Sequence, residues 1–164
     1  MDLVTALAVV IGIMGAIATW VAVTAGTQFI TIWAIFIGWA SYYHCGGKEA
    51  GLQSSAAANI WGAICAAVAL LVAQAIGVTA ITAAICVGVT VFILIMGAKV
   101  PALSAIPAGV YGYAVTAAAV LTGGALGGGA GAVITAAIAM AVSLVIGNVL
   151  GYISEKIAGA LVKS

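Results

Sequence analysis

Residues 38–62 read GWASYYHCGGKEAGLQSSAAANIWG. His44, Cys45, Lys48, Glu49, Gln53, Ser54, Ser55 and Asn59 gather there, in a chain otherwise made mostly of Ala, Val, Ile, Leu and Gly. Of the 164 residues, 66% are hydrophobic and 4% charged, whereas a soluble domain carries roughly a quarter charged residues. A water-facing surface this apolar would drive aggregation, so the solvent expected for most of it is lipid. The polar run is then a connection between two membrane helices, and the other spans are counted outward from it.

A helix needs about 20 apolar residues to cross a hydrocarbon core of about 30 Å. Runs of that kind lie near 3–23, 28–43, 56–75, 78–96, 108–123 and 132–153, the second and fifth being short. No run alternates with the period of two that a closed barrel requires. The fold class expected is an all-α, polytopic membrane bundle of six spans forming one domain over 1–164. Lys48 follows the second span, Lys99 the fourth, and Lys156 and Lys163 the sixth, while the connections after the odd spans are uncharged. The positive-inside rule puts that side, and both termini, in the cytoplasm.

Internal similarity points to repeats. ITAAICVGVTVFI at 81–93 resembles ITAAIAMAVSLVI at 134–146, and WGAICAAVALL from Trp61 resembles YGYAVTAAAVL from Tyr111. KEAGL, KVPAL and KIAGAL also rhyme after the even spans. The expectation is three parallel helical hairpins, about 1–52, 53–104 and 105–164, around a pseudo-threefold axis. Chance likeness among Ala-rich helices is the plain alternative. A ridge of small residues, Gly131, Thr135, Ala139, Ser143, Gly147 and Gly151, runs along the sixth span, with Ala58, Gly62 and Ala66 in the third. Such ridges let membrane helices approach closely, within the bundle or between subunits of a homo-oligomer.

Trp39, Tyr42, Tyr43, Tyr111, Tyr113 and Tyr152 fit aromatic belts at the headgroup level. GLQSSAAAN at 51–59 and KVPALSAIPAG at 99–109, with Pro101 and Pro107, suggest two broken segments that dip from the cytoplasmic side and line a vestibule, since irregular backbone at membrane depth survives only inside protein or beside water. A simple polar loop is the alternative. Asn59, Gln53, Ser54, Ser55 and Asn148 are the candidate solute-contacting residues, because an amide both donates and accepts where water is absent. Bonding to a neighbouring helix is the other use of such an Asn. Phe29, Trp33 and Phe36 share one helical face, as an aromatic constriction or as lipid contact. His44, Lys48, Glu49 and Lys99 would form the cytoplasmic mouth.

Several classes are not expected. Net charge is +1 and Arg is absent, so there is no basic stripe for nucleic acid. Asp2 stands where a secretory signal would carry a basic residue. Cys45, Cys65 and Cys86 lack metal-ligand spacing and His44 is the single His, so no metal or cofactor is expected. No nucleophile–base motif marks an enzyme.

The run WASYYHCGGKEAG, with Trp39, Ala40, Ser41, Gly46, Gly47 and Gly51 as its most specific part, resembles the YcdZ-like family of small bacterial inner-membrane proteins. The resemblance covers nearly the whole chain and implies a multi-pass inner-membrane protein without an assigned activity. With no charge expected deep in any span, the function expected is a passive channel or facilitator for a small uncharged or weakly polar solute, such as urea, ammonia, a short amide or a weak acid. A structural or assembly subunit without transport of its own is the alternative.

Overall fold

The computed structural model describes residues 1–26 and 30–163. The described residues form six helices: α1 (Leu3–Ala25), α2 (Ile32–His44), α3 (Lys48–Ile76), α4 (Ala80–Gly97), α5 (Ile106–Thr122) and α6 (Ala130–Lys163), with short 3-10 turns at Pro101–Leu103 and Ala125–Gly128. Among the described residues there is no strand. Four helices, α1, α3, α4 and α6, are long and apolar enough to cross a membrane, and the chain is a membrane protein. α2 has 13 residues, about 20 Å at 1.5 Å per residue.

Local chemistry sets the helix ends. The Asp2 carboxylate accepts the Thr5 amide and caps α1, and Thr79 and Thr82 form a reciprocal capping box at α4. Pro107 sits in the first turn of α5, where its missing donor costs nothing. The α2–α3 turn uses positive φ at Gly46, Gly47 and even Lys48 (φ 57°).

One expectation is corrected here. The third span does not begin near Ala56 after a dip: α3 starts at Lys48 and runs unbroken for 29 residues. Nothing in KEAGLQSSAAAN bars a helix, and its buried polar side chains find partners on other helices. The Pro101–Pro107 segment does break, into a 3-10 turn followed by α5. The sixth span also continues beyond residue 153 to Lys163.

α3 and α6 cross at the centre, α5 lies along α3, and α2 lies along α6. α4 covers the far side of α3 and α1 the far side of α6, while α1 and α2, the pair expected as the first hairpin, scarcely touch. Ala6 and Val10 pack on Ala158, and Cys86 packs on Ala69 and Ala73, so consecutive helices run in opposite directions between a lysine end, where α3 starts, and a glycine end, where α6 starts.

Glycine makes the close crossings. A Cβ on Gly38 or Gly147 would strike the backbone of α6 or α2 respectively, and one on Gly62 or Gly112 that of α5 or α3. The small residues Ala139, Ser143, Gly147 and Gly151 are thus buried within the bundle. Trp39 and Tyr42, expected in an aromatic belt, are buried within the bundle, with their polar tips bonded to α6. The Trp39 Nε1 donates to Ser154 Oγ at 3.0 Å, and the Tyr42 hydroxyl donates to Glu155.

Candidate functional site: a buried polar junction

The helix crossing brings Ser41 of α2, Ser55 and Asn59 of α3 and Asn148 of α6 together, each wholly buried. Ser55 stands one turn before Asn59 on α3, so both side chains face the same neighbours. The Ser41 and Ser55 hydroxyls lie 2.7 Å apart. Asn59 Nδ2 donates to the Ala108 carbonyl of α5 at 2.7 Å and to Ser41 Oγ at 3.2 Å. Asn148 Nδ2 donates to Asn59 Oδ1 at 2.8 Å and to the Leu144 carbonyl at 2.8 Å. One amide therefore ties four helices.

The two asparagines end in different states. Asn59 has both amide hydrogens and its carbonyl engaged. Asn148 has both hydrogens engaged, but among the described residues its buried Oδ1 has no partner, and neither has the buried Thr116 hydroxyl oxygen on α5. Leaving a buried acceptor unmet costs about 1–3 kcal/mol.

Two concavities open at opposite ends. At the glycine end a cavity of about 380 Å³ is lined by Thr31, Trp33, Thr122, Thr135, Ala139 and Met140 among others. Ala139 and Met140 of its lining also belong to the apolar cluster with Ala34, Val115 and Leu144, and Leu144 supplies the carbonyl that holds Asn148. At the lysine end a groove of about 720 Å³ is lined by Leu3, Lys48, Glu49, Glu155, Lys156 and Gly159 among others. Glu155 accepts the Lys48 amide at 2.8 Å, so a carboxylate from α6 caps α3. The Lys156 ammonium stands 5.1 Å over the Tyr152 ring, whose hydroxyl donates to Glu49 at 3.3 Å. Beside Leu3, the Thr5 hydroxyl and amide hold the Asp2 carboxyl below the usual carboxylate range.

The remaining candidates scatter. Gln53 is exposed, and Ser54 bonds back to Gly51 O at 3.4 Å. Trp33 lines the glycine-end cavity, whereas Phe36 lies in a groove against α1 with Gly15 and stacks on Trp39 at 6.0 Å. The two share no constriction, because the groove between α1 and α2 leaves room for the Phe36 ring. Phe29 lies outside the described residues. Of the four residues expected at a mouth, Lys48 and Glu49 share the groove, and exposed His44 pairs with Tyr111 at 2.7 Å. Lys99 follows an α4 that ends with Gly97 against Trp61, in the middle of α3.

Sequence reasoning missed Ser41, Thr116, Ser154 and Glu155. Their signal is a small polar residue or carboxylate within helices that are otherwise apolar. Among the described residues no three His, Cys, Asp or Glu side chains group to hold a metal ion.

The sequence pattern of a family described as "Protein of unknown function (DUF1097)" matches residues 8–159. No curated protein and no solved structure matches the chain.

Proposed function

We propose, for a chain that belongs to the DUF1097 family, that it is a passive channel or facilitator for a small uncharged or weakly polar solute across the bacterial inner membrane. All six helices are its spans, the lysine end faces the cytoplasm with both termini, and the YcdZ-like group is the part of the family meant. The short helices α2 and α5 lie at the crossings, where the bundle is held by its neighbours.

The observation that carries the reading is the buried, unpartnered Asn148 Oδ1 in the core of a bundle that holds a cavity at its glycine end. Its partner Asn59 is 11 residues beyond the start of α3 at Lys48, about 16 Å of rise, which is close to the middle of a 30 Å hydrocarbon core. A solute N–H or O–H offered there satisfies an acceptor that protein leaves unmet. No carboxylate or ammonium joins the junction, so a bare ion would find dipoles but no countercharge. Urea, ammonia, a short amide, or a weak acid in neutral form fits. On this reading Met140 and Leu144, buried in one apolar cluster, form the seal of a closed pathway. An unbranched methionine can change rotamer at low cost.

A specific observation favours the second reading, a structural or assembly subunit: Asn59 spends its whole capacity on neighbouring helices. The test separates the two. Purified protein in liposomes is challenged with urea, acetamide, glycerol, ammonia, formate and acetate, with Asn148→Leu alongside. The facilitator reading expects accelerated flux of one solute that the variant loses. Folded, inserted protein that leaves every flux at the level of empty liposomes would give the structural reading precedence.

A further inference from the structure

The crossings come in matched pairs. A Cβ on Gly147 would lie 2.7 Å from the Trp39 amide, and one on Gly62 would lie 2.7 Å from the Tyr113 amide. A Cβ on Gly38 would lie 2.9 Å from Leu144 Cα, and one on Gly112 would lie 2.9 Å from Asn59 Cα. Sliding α2 onto α5 in one fixed register pairs Gly38 with Gly112 and Trp39 with Tyr113. Sliding α3 onto α6 pairs Asn59 with Leu144 and Gly62 with Gly147.

Burial follows the same registers. Ala34, Ile35, Gly38, Ser41 and Tyr42 on α2 fall on Ala108, Gly109, Gly112, Val115 and Thr116 on α5, all buried. On α3, Ser55, Ala58, Ala63, Ala66 and Ala69 fall on Met140, Ser143, Asn148, Gly151 and Ser154 of α6, again all buried. α1 and α4 agree as well: Ala6 and Val10 against Cys86 and Thr90. α1 leans on α6 as α4 leans on α3.

The unit repeated is therefore three helices, α1–α3 and α4–α6. Three is odd, so the second unit starts at the opposite end and runs inverted, related to the first by a pseudo-twofold axis across the bundle. Sequence alone suggested parallel hairpins because Ala-rich α3–α4 and α5–α6 share composition, whereas the packing relates α3 to α6 and α2 to α5.

From this symmetry we propose a second mouth that no cavity described above contains. It rests on the facilitator reading and completes its path. The glycine-end cavity is lined by Thr31, Trp33, Ala119, Ala136, Ala139 and Met140. The twofold carries these onto Ala105, Pro107, Cys45, Gly51, Ser54 and Ser55 at the lysine end, and Thr135 of the same cavity onto Ala50 at the rim of the Lys48–Lys156 groove. Those residues are neighbours in fact: a Cβ on Gly51 would lie 3.2 Å from the Cys45 carbonyl, the 3-10 turn before Ala105 packs on α3, and Ser55 belongs to the polar junction. The solute leaves between α2, α3 and the start of α5, past Ser54 and Ser55, and not through the Lys48–Lys156 groove. Small hydroxyl, thiol and backbone groups there suit the same uncharged, hydrogen-bonding solute.

Cys45 is a built-in reporter, half-exposed, whereas Cys65 and Cys86 are buried. In a Cys65→Ala, Cys86→Ala background, protein in liposomes is treated on both faces with a bulky methanethiosulfonate. Modification is followed by mass spectrometry and flux is measured with the best solute of the panel. The expected result is a severalfold fall in flux on modification, restored by dithiothreitol and absent in Cys45→Ser. Modifying Lys156→Cys in the Cys45→Ser protein is expected to leave flux unchanged. Complete modification of Cys45 with flux intact, or a Cys45 that resists the reagent, would overturn the mouth while the facilitator reading stands. Unmodified protein with no flux above empty liposomes would sink both.

Discussion

Replacing Asn59 with Leu tests the junction as a physical object. The change keeps the side-chain size close to the original and removes three interhelical bonds: to Ala108 O, to Ser41 Oγ and from Asn148 Nδ2. Bonds between membrane helices average about 0.6 kcal/mol each, so together they contribute about 2 kcal/mol. Ser41 keeps Ser55 and Asn148 keeps the Leu144 carbonyl, but one Asn148 N–H is left buried and unmet, which costs about 1–3 kcal/mol more. The loss is therefore at least about 2 kcal/mol. Reversible unfolding in mixed micelles, read by far-UV circular dichroism, measures it. A double-mutant cycle with Asn148→Leu is expected to give a coupling of about 0.6 and at most about 1.7 kcal/mol. Exposed Gln53→Leu serves as the control with no loss. An Asn59→Leu protein as stable as wild type, within about 0.5 kcal/mol of it, would refute the bonding scheme.

Other outcomes follow from the same geometry. Gly62→Ala and Gly147→Ala each push a methyl into a facing backbone, and both are expected to destabilise by about 1–3 kcal/mol or more. The symmetry adds that the two losses agree closely, and unfolding in micelles checks it. Thr5 holds the Asp2 carboxyl below its ordinary range. The cap on α1 is therefore complete above the ordinary carboxylate pKa and is lost as pH falls through the lowered value, so amide exchange in the first turn of α1 rises only in acid. Asp2→Asn, which caps without titrating, should remove that pH dependence. Trp39→Phe leaves Ser154 without its indole donor and is expected to cost about 1 kcal/mol, again by unfolding in micelles.

Composition made the helical membrane class legible, because 4% charge leaves no other solvent for the surface. The polar stretch was also legible as the place where polar groups collect, and three of its members, Ser41, Ser55 and Asn59, sit in the junction. What sequence could not show was direction. Gln53 and Ser54 are as polar as Ser55, but only one face of α3 turns toward α2 and α6. The pairing of Asn59 with Asn148 joins residues far apart in the chain, and no local pattern announces it. Prolines marked the break before α5 correctly because they change the backbone itself. Serines and alanines misled about α3 because they leave a helix free to form. The repeat was visible in sequence only as shared composition, and the register proposed above is carried by glycines whose importance lies in the backbone they touch.

The measurement closest to the central claim is stopped-flow solute permeation in liposomes of known protein content. The account predicts flux of one small uncharged solute above the empty-liposome rate, in proportion to protein, with Asn148→Leu folded but reduced to background. Flux indistinguishable from empty liposomes across the panel, with the protein inserted and its unfolding transition intact, would contradict it.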